Sequence, residues 1–232
     1  AAGIGMLATS TVAGTSAKQP NFVLILVDDM GWTGTSALMD NRISSSRSDY
    51  YFTPNIAMLA KNGVTFCNAY SASPLCTPSR ASILTGKTPA RLHMTSPGPP
   101  GRPAFSWQKV VAPPHTNSLP EKEITIAEML KRKKYATAHF GKWHLGTLAP
   151  DYSGKNNRKP EKNYMTPGMS GFDDWFSTEY SVSTWDPYSP ENAHNGIIDP
   201  RVLFYHNGRN IVDGPAEGLV GDTAKLVMDK AV

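Results

Sequence analysis

A chain of 232 residues with a formal charge of +4 has room for one large α/β domain or two small ones. Its apolar share of 40% and charged share of 18% are those of an ordinary globular protein, and the weak positive charge favours anionic ligands only slightly. The basic residues are dispersed apart from Lys131-Arg132-Lys133-Lys134, and with no aromatic interleaving and no nucleic-acid motif the chain does not read as a nucleic-acid binder.

Residues 1–17 are small, mildly apolar and uncharged, and Lys18 is the first charge. They read as the latter part of a secretory signal peptide ending at Thr15-Ser16-Ala17, or else as a disordered tail. The stretch is too short and too polar to span a membrane. A periplasmic or secreted protein is therefore expected, with residues 18–232 forming the folded part. Asn21-Phe22-Val23-Leu24-Ile25-Leu26-Val27 is a continuous apolar run of strand length, the pattern of a strand buried on both faces. Asp28 and Asp29 follow at its carboxyl end, the edge where open α/β sheets bind ligands. Adjacent carboxylates repel unless a cation lies between them, and oxygen ligation suits Ca²⁺ or Mg²⁺. An isolated Asp-Asp pair can equally be two solvated loop acids.

Thr53-Pro54-Asn55-Ile56 opens a short helix that Gly63 stops, and residues 64–69 read as the next strand, with Cys67 packed within it. Cys67 and Cys76 are the sole cysteines, so no disulfide framework is defined, and pairing them would remove a candidate nucleophile. Cys76-Thr77-Pro78-Ser79-Arg80 leads into a helix for which Pro78 suits the first turn and Gly86 the C-terminus. Cys76 then lies at the positive end of the helix dipole with Arg80 one turn on, a setting that stabilises an anion.

A further helix begins at Thr125, spaced from Glu128 as a capping box, with Ile126, Met129 and Leu130 on its apolar face and the basic run at its C-terminal end. Residues 135–140 read as a strand that ends at Gly141-Lys142-Trp143-His144. Gly171-Phe172-Asp173-Asp174-Trp175-Phe176 reads from its residues as a strand with aromatic core residues. Asn207-Gly208 marks a hairpin, and residues 219–232 read as a helix. Long irregular insertions, residues 97–120 and 149–167, separate these elements. His93, His115, His194 and His206 read as loop or packing residues, with His115 the best of them for a substrate contact. The alternation of strands and helices is that of a doubly wound α/β fold.

The Cys76-to-Arg80 run, followed by Leu84-Thr85-Gly86, resembles the signature of the type I sulfatases, whose cysteine is oxidised after synthesis to formylglycine. Gly141-Lys142-Trp143-His144-Leu145-Gly146 resembles the family's second motif, and Asp28-Asp29 before Met30-Gly31-Trp32 its N-terminal block. The resemblance implies the alkaline-phosphatase-like α/β fold, a mostly parallel or mixed sheet sandwiched by helices. It covers the N-terminal part of such a catalytic domain, because no copy of the family's later metal and leaving-group residues is found before Val232.

The implied activity is hydrolysis of sulfate monoesters, most naturally of sulfated carbohydrate, with an aryl sulfate as the simpler substrate. Cys76 would supply the formylglycine through a formylglycine-generating maturation enzyme. Its hydrate would attack sulfur, and its second hydroxyl would then release sulfate. Ca²⁺, or Mg²⁺, would be held by Asp28, Asp29 and the modified residue 76. Arg80 and Lys142 would offset negative charge, and His144 would help move the proton. Two residues depart from the pattern: Lys134 stands where glycine is usual, and bulky Phe140 replaces a small residue. A phosphonate or phosphodiester hydrolase of the same superfamily, or a non-catalytic binder of sulfated glycans, are the alternative readings. On its own, the piece is expected to bind metal poorly and turn over little.

Overall fold

In the computed structural model of the protein, residues 19–98, 105–111, 113–152, 158–194, 197–199 and 203–232 are described. The segment read as a signal remnant lies outside them. Contacts divide the chain into two units, Ala1–Cys67 and Asn68–Val232.

The first unit is built from turns and one helix, α1 (Pro54–Asn62), with Thr53 as N-cap and Gly63 as C-cap. Thr53 does not cap through its side chain, because Oγ1 is engaged elsewhere: it accepts the Ser36 N–H at 2.8 Å and bonds Ser36 Oγ at 3.0 Å. Around Asp40, Ser46 Oγ accepts the Asp40 amide and donates to its carbonyl, each at 2.9 Å. The Arg42 side chain and amide hold the Asp40 carboxylate down to about 2.

Two expected strands do not form here. Residues 21–27 and 64–69 pair into no ladder, and Phe22, Val23, Val64 and Phe66 are exposed. An apolar run becomes a buried strand only when neighbours offer hydrogen bonds on its edges and helices cover its faces. Within this unit α1 is the only regular element among the described residues, and it buries none of its own side chains. Cys67 is accordingly exposed rather than packed, and both cysteines are free thiols.

The second unit is organised on a mixed sheet of order β1-β2-β5-β6. Strand β1 (Ala138–Lys142) runs parallel to β2 (Asp174–Thr178), pairing Ala138 with Asp174 through to Lys142 with Thr178. The antiparallel partner of β2 is β5 (Phe204–His206), which returns as β6 (Arg209–Asn210). Between them Asn207 (φ 49°) and Gly208 (φ 88°) both take the left-handed conformation of a type I′ turn, as their dipeptide predicts. A separate two-stranded ladder joins β3 (Ala193–His194) to β4 (Ile197–Ile198), and the His194 side chain lies outside the described residues.

Alternation along β2 sorts the core onto two faces. Trp175 joins Tyr205, Trp143, Leu145 and Met165 on one side, with Ala81 and Leu84 of α2 (Cys76–Thr85) and Leu92 of α3 (Pro89–Leu92). Phe176 faces the other side, stacked on Phe204 at 4.4 Å and packed with Leu226 and Val227 of α6 (Thr223–Ala231). Helices thus cover both faces, in keeping with the sandwiched α/β architecture expected. Phe140 takes its place among these side chains of the second face, which accounts for its bulk. The last helix starts later than expected because Gly221 (φ 93°) turns the chain and Asp222 caps it, accepting the Lys225 amide at 2.8 Å.

Helix α4 (Ile126–Arg132) carries the predicted capping box, with the Thr125 amide donating to Glu128 Oε2 at 2.8 Å and the Glu128 amide to Thr125 Oγ1 at 3.2 Å. Its buried residue is Ala127, while Ile126 and Met129 are exposed, so the expected apolar face is not the one that packs. The cap itself is buried instead: Thr125 Oγ1 donates to the Ser170 carbonyl at 2.6 Å. Gly171 (φ 94°) lets the chain pass there, since a Cβ would stand 2.7 Å from the Glu128 amide nitrogen. A fifth helix, α5 (Pro160–Asn163), is a single turn.

The basic run closes α4 as a Schellman motif. The Tyr135 amide reaches back to the Leu130 carbonyl at 3.2 Å and the Lys134 amide to Lys131 at 2.8 Å. Tyr135 is still part of that cap, which is why β1 begins only at Ala138 and not at 135. Lys134 sits at φ 64°, the left-handed position where the family's usual glycine is free of strain. Lys134→Gly should therefore stabilise the protein, by about 0.5–1 kcal/mol after the entropy glycine gains when unfolded. An unchanged or lower urea midpoint would contradict this reading.

Candidate active site

The first motif folds as α2 and puts Cys76 at its first helical position, half-buried, with Leu75 as the N-cap. Gly86 ends the helix at φ 67°, its amide bonding the Ser82 carbonyl at 2.8 Å. Ten residues are enough for the N-terminal amides and the dipole to favour negative charge at Cys76. Arg80, one turn on, donates through Nη1 to the Lys142 carbonyl.

The second motif leaves the carboxyl end of β1. Its backbone continues the parallel ladder past the strand end, with the Trp143 amide on the Thr178 carbonyl at 2.8 Å and the His144 amide on Glu179 at 3.0 Å. His144 is fully buried at φ 56°, and its ring meets Tyr180 edge-on at 4.4 Å. Lys142 Nζ lies over the same Tyr180 ring at 5.3 Å. Thr77, the neighbour of Cys76, donates from Oγ1 to the His144 carbonyl at 2.9 Å. Cys76, Arg80, Lys142 and His144 are thus gathered within one unit by bonds from α2 to the loop after β1. Electropositive side chains around a helix N-terminus make a site for an anion.

Asp28 and Asp29 belong to the other unit. They are exposed, and their carboxylate oxygens lie within 4.8 Å of each other. Asp29 takes φ 58°, a conformation that aspartate tolerates better than most residues. It lines a depression with Arg47, Ser48 and Tyr51. Two adjacent hard oxygen donors at this separation fit shared ligation of one divalent cation.

Among the histidines read as bystanders, His115 Nε2 bonds the Gly98 carbonyl at 3.0 Å, and His206 pairs with Asp174 at 3.1 Å. His93 ends α3. Residues not singled out from the sequence complete the site. Glu179 and Tyr180 follow β2 directly, and they were findable in principle, because the ends of two parallel neighbours lie side by side. Arg158 is wholly buried among loop residues and carried no signal within its Lys- and Asn-rich stretch. Burial pushes its guanidinium below the usual range, opposed by Glu179 and Tyr180. His139, on β1, bonds Ser177 Oγ at 2.7 Å and packs edge-on to Trp143 and Phe172.

The chain matches the Sulfatase family model over residues 20–230 and belongs to that family. It is 35% identical over 161 residues to the N-acetylgalactosamine-6-sulfatase of Homo sapiens, covering 69% of this chain and 26% of that protein. It is 39% identical over 145 residues to the steryl-sulfatase of Mus musculus, covering 62% of this chain and 21% of that one. The chain therefore spans about a third or less of the length of these curated relatives. Among solved structures, Ps i-CgsB in complex with k-i-k-neocarrahexaose aligns with a TM-score of 0.54 at 26% identity, over 80% of this chain and 36% of that one. A Bacteroides thetaiotaomicron protein, solved in work on the metabolism of multiple glycosaminoglycans, aligns with a TM-score of 0.55 at 28% identity, over 84% and 32%.

Burial, reinforced by the charge of Arg80, pushes the His139 imidazole from 6.5 down to about 3. The unfolded chain then binds a proton near pH 6.5 that the folded chain refuses. Stability is full above that pH and falls as pH drops towards 3, by at most about 1.4 kcal/mol per unit. Chemical denaturation between pH 7 and 5 should show a shallower decline for His139→Gln than for the wild type; equal slopes would remove His139 from the acid response.

Proposed function

We propose that the whole protein hydrolyses sulfate monoesters of sulfated carbohydrates, using a formylglycine formed from Cys76 and a divalent cation bound by Asp28, Asp29 and the modified residue 76. The observation that carries this reading is the tie between α2 and the loop after β1: Arg80 on the Lys142 carbonyl, and Thr77 on the His144 carbonyl. The name N-acetylgalactosamine-6-sulfatase and a neighbour solved in complex with k-i-k-neocarrahexaose favour a sulfated carbohydrate, while the name steryl-sulfatase supports sulfate-ester hydrolysis more generally.

Each side chain then has a defined task. The N-terminal turn of α2 presents residue 76 to the sulfate group. Arg80 and Lys142 offset the charge of the sulfuryl oxygens as the ester bond breaks, where fixed cations lower the barrier most. His144 moves a proton at the hydroxyl of residue 76. Asp28 and Asp29 would hold the cation, which when bound would polarise a sulfate oxygen, and a formylglycine at position 76, after adding water, would carry two geminal hydroxyls. Calcium is the ion proposed, with Mg²⁺ as the substitute. A formylglycine-generating enzyme is the maturation partner, and a periplasmic or secreted location follows from the reading of residues 1–17. No helix among the described residues is long and apolar enough to cross a membrane.

The test uses full-length protein made in a host able to form formylglycine. Trypsin releases residues 62–80 as one peptide, in which position 76 should have lost sulfur while Cys67 keeps its thiol. Cys76→Ser provides one hydroxyl but not the second, and should lower multiple turnover about 1,000-fold or more. Turnover by that variant at the wild-type rate would reject the mechanism. Faster hydrolysis of an aryl phosphate diester than of an aryl sulfate would move the assignment to the phosphodiesterases. Binding of sulfated sugars by a protein that keeps both thiols would make it a glycan binder.

Chelation should abolish activity, and Ca²⁺ should restore it in the wild type but not in Asp28→Asn/Asp29→Asn. Full activity in chelator would exclude the metal.

A further inference from the structure

Arg158 belongs to no motif, yet its side chain is wholly buried beside the site. Nε donates to the Asn117 carbonyl at 2.6 Å, and Nη2 donates to the His144 carbonyl at 3.1 Å and meets Thr77 Oγ1 at 3.4 Å. Nη1 faces Glu179 Oε1 at 3.7 Å. We propose that Arg158 is a positioning residue for sulfate-ester hydrolysis, fixing the backbone of the loop after β1, which carries His144, against the first turn of α2.

Three observations and one physical argument lead there. The His144 carbonyl receives both Thr77 Oγ1 and Arg158 Nη2, so three elements meet at one oxygen: α2, the loop after β1 and the segment before α5. Thr77 neighbours Cys76, so its placement is felt directly at the nucleophile's position. Glu179, which offsets the buried charge, also accepts the His144 amide through its carbonyl, so both peptide groups of His144 are tied to one ion pair. Finally, filling space does not require a guanidinium, because buried charge is costly and an apolar side chain of similar volume packs as well. Its rigid planar fork sets the spacing of the Asn117 and His144 carbonyls and Thr77 Oγ1, which an ammonium on a flexible stem cannot reproduce.

The inference rests on the sulfatase reading for its activity arm and on amide exchange for its geometric arm. Full-length wild type, Arg158→Lys and Arg158→Met are compared for steady-state hydrolysis of an aryl sulfate, formylglycine content and amide hydrogen exchange. Arg158→Lys should lose about 10- to 100-fold in kcat with KM within about twofold, as for other residues that orient a catalytic group. Its formylglycine content should match the wild type. Exchange should rise over residues 143–147 and at Thr77 while β1 and β2 stay protected. Arg158→Met should behave alike, and if it does not fold, Arg158→Lys carries the test. Wild-type kcat together with wild-type exchange in Arg158→Lys would overturn the assignment. Exchange rising equally through β1 and β2 would also overturn it, leaving Arg158 a general support of the fold. If the wild type hydrolyses no sulfate ester, the sulfatase reading falls, and exchange at residues 143–147 still decides whether Arg158 holds the loop.

Discussion

Two backbone hydrogen bonds beyond the end of β1, from Trp143 to Thr178 and from His144 to Glu179, hold the site together. They extend the parallel register of β1 and β2 into the loop, so that the segments leaving both strands stay side by side. Lys142 and His144 can then share the Tyr180 ring, the ammonium over it and the imidazole in a T-shaped contact. The chain turns at His144, whose φ of 56° brings its carbonyl within reach of Thr77 and Arg158. A loop free of the ladder would have no reason to keep that conformation, which costs about 1 kcal/mol or more outside glycine.

The partners that α2 chooses on this loop are informative. Arg80 and Thr77 both bond main-chain carbonyls, of Lys142 and His144. The first motif therefore meets the backbone of the second, and a change in that backbone path would move both side chains together. Trp143, between them, anchors the path from the other side by donating Nε1 to the Met165 carbonyl at 2.6 Å.

Local signals in the sequence proved reliable where the structure's cause is also local. The Thr125–Glu128 capping box, the Pro54 and Gly86 helix boundaries and the Asn207-Gly208 turn each depend on a few adjacent residues, and all form as read. Strands 21–27 and 64–69 were read from apolarity alone, but a strand also needs an edge to pair with, which no single segment encodes. The same limit applies to the helix face of α4: Ile126 and Met129 have helical spacing, yet Ala127 is what packs, because the cap inserts towards Ser170 and Gly171. Of the site, the motif residues were picked out by their resemblance to the sulfatase motifs, since a cysteine near an arginine, or a lysine and histidine two apart on a loop, carries little signal alone. Arg158 was not, since a lone arginine in a polar insertion looks like a solvated side chain until its burial is known.

Cys76, Arg80, Lys142, His144 and Arg158 are positioned by contacts inside the unit Asn68–Val232, on a sheet with helices over both faces. Asp28 and Asp29 lie in the unit Ala1–Cys67, where turns and the short α1 are the local support. A core of stacked and interdigitated aromatics resists local opening, whereas a turn-rich segment with exposed apolar side chains opens more readily. The side chains proposed to meet the ester's charge and proton thus occupy the unit with the packed core, and the carboxylates proposed to hold a cation occupy the turn-rich one. A divalent cation held there, as proposed, would add its binding free energy to the ordered form of that turn-rich segment.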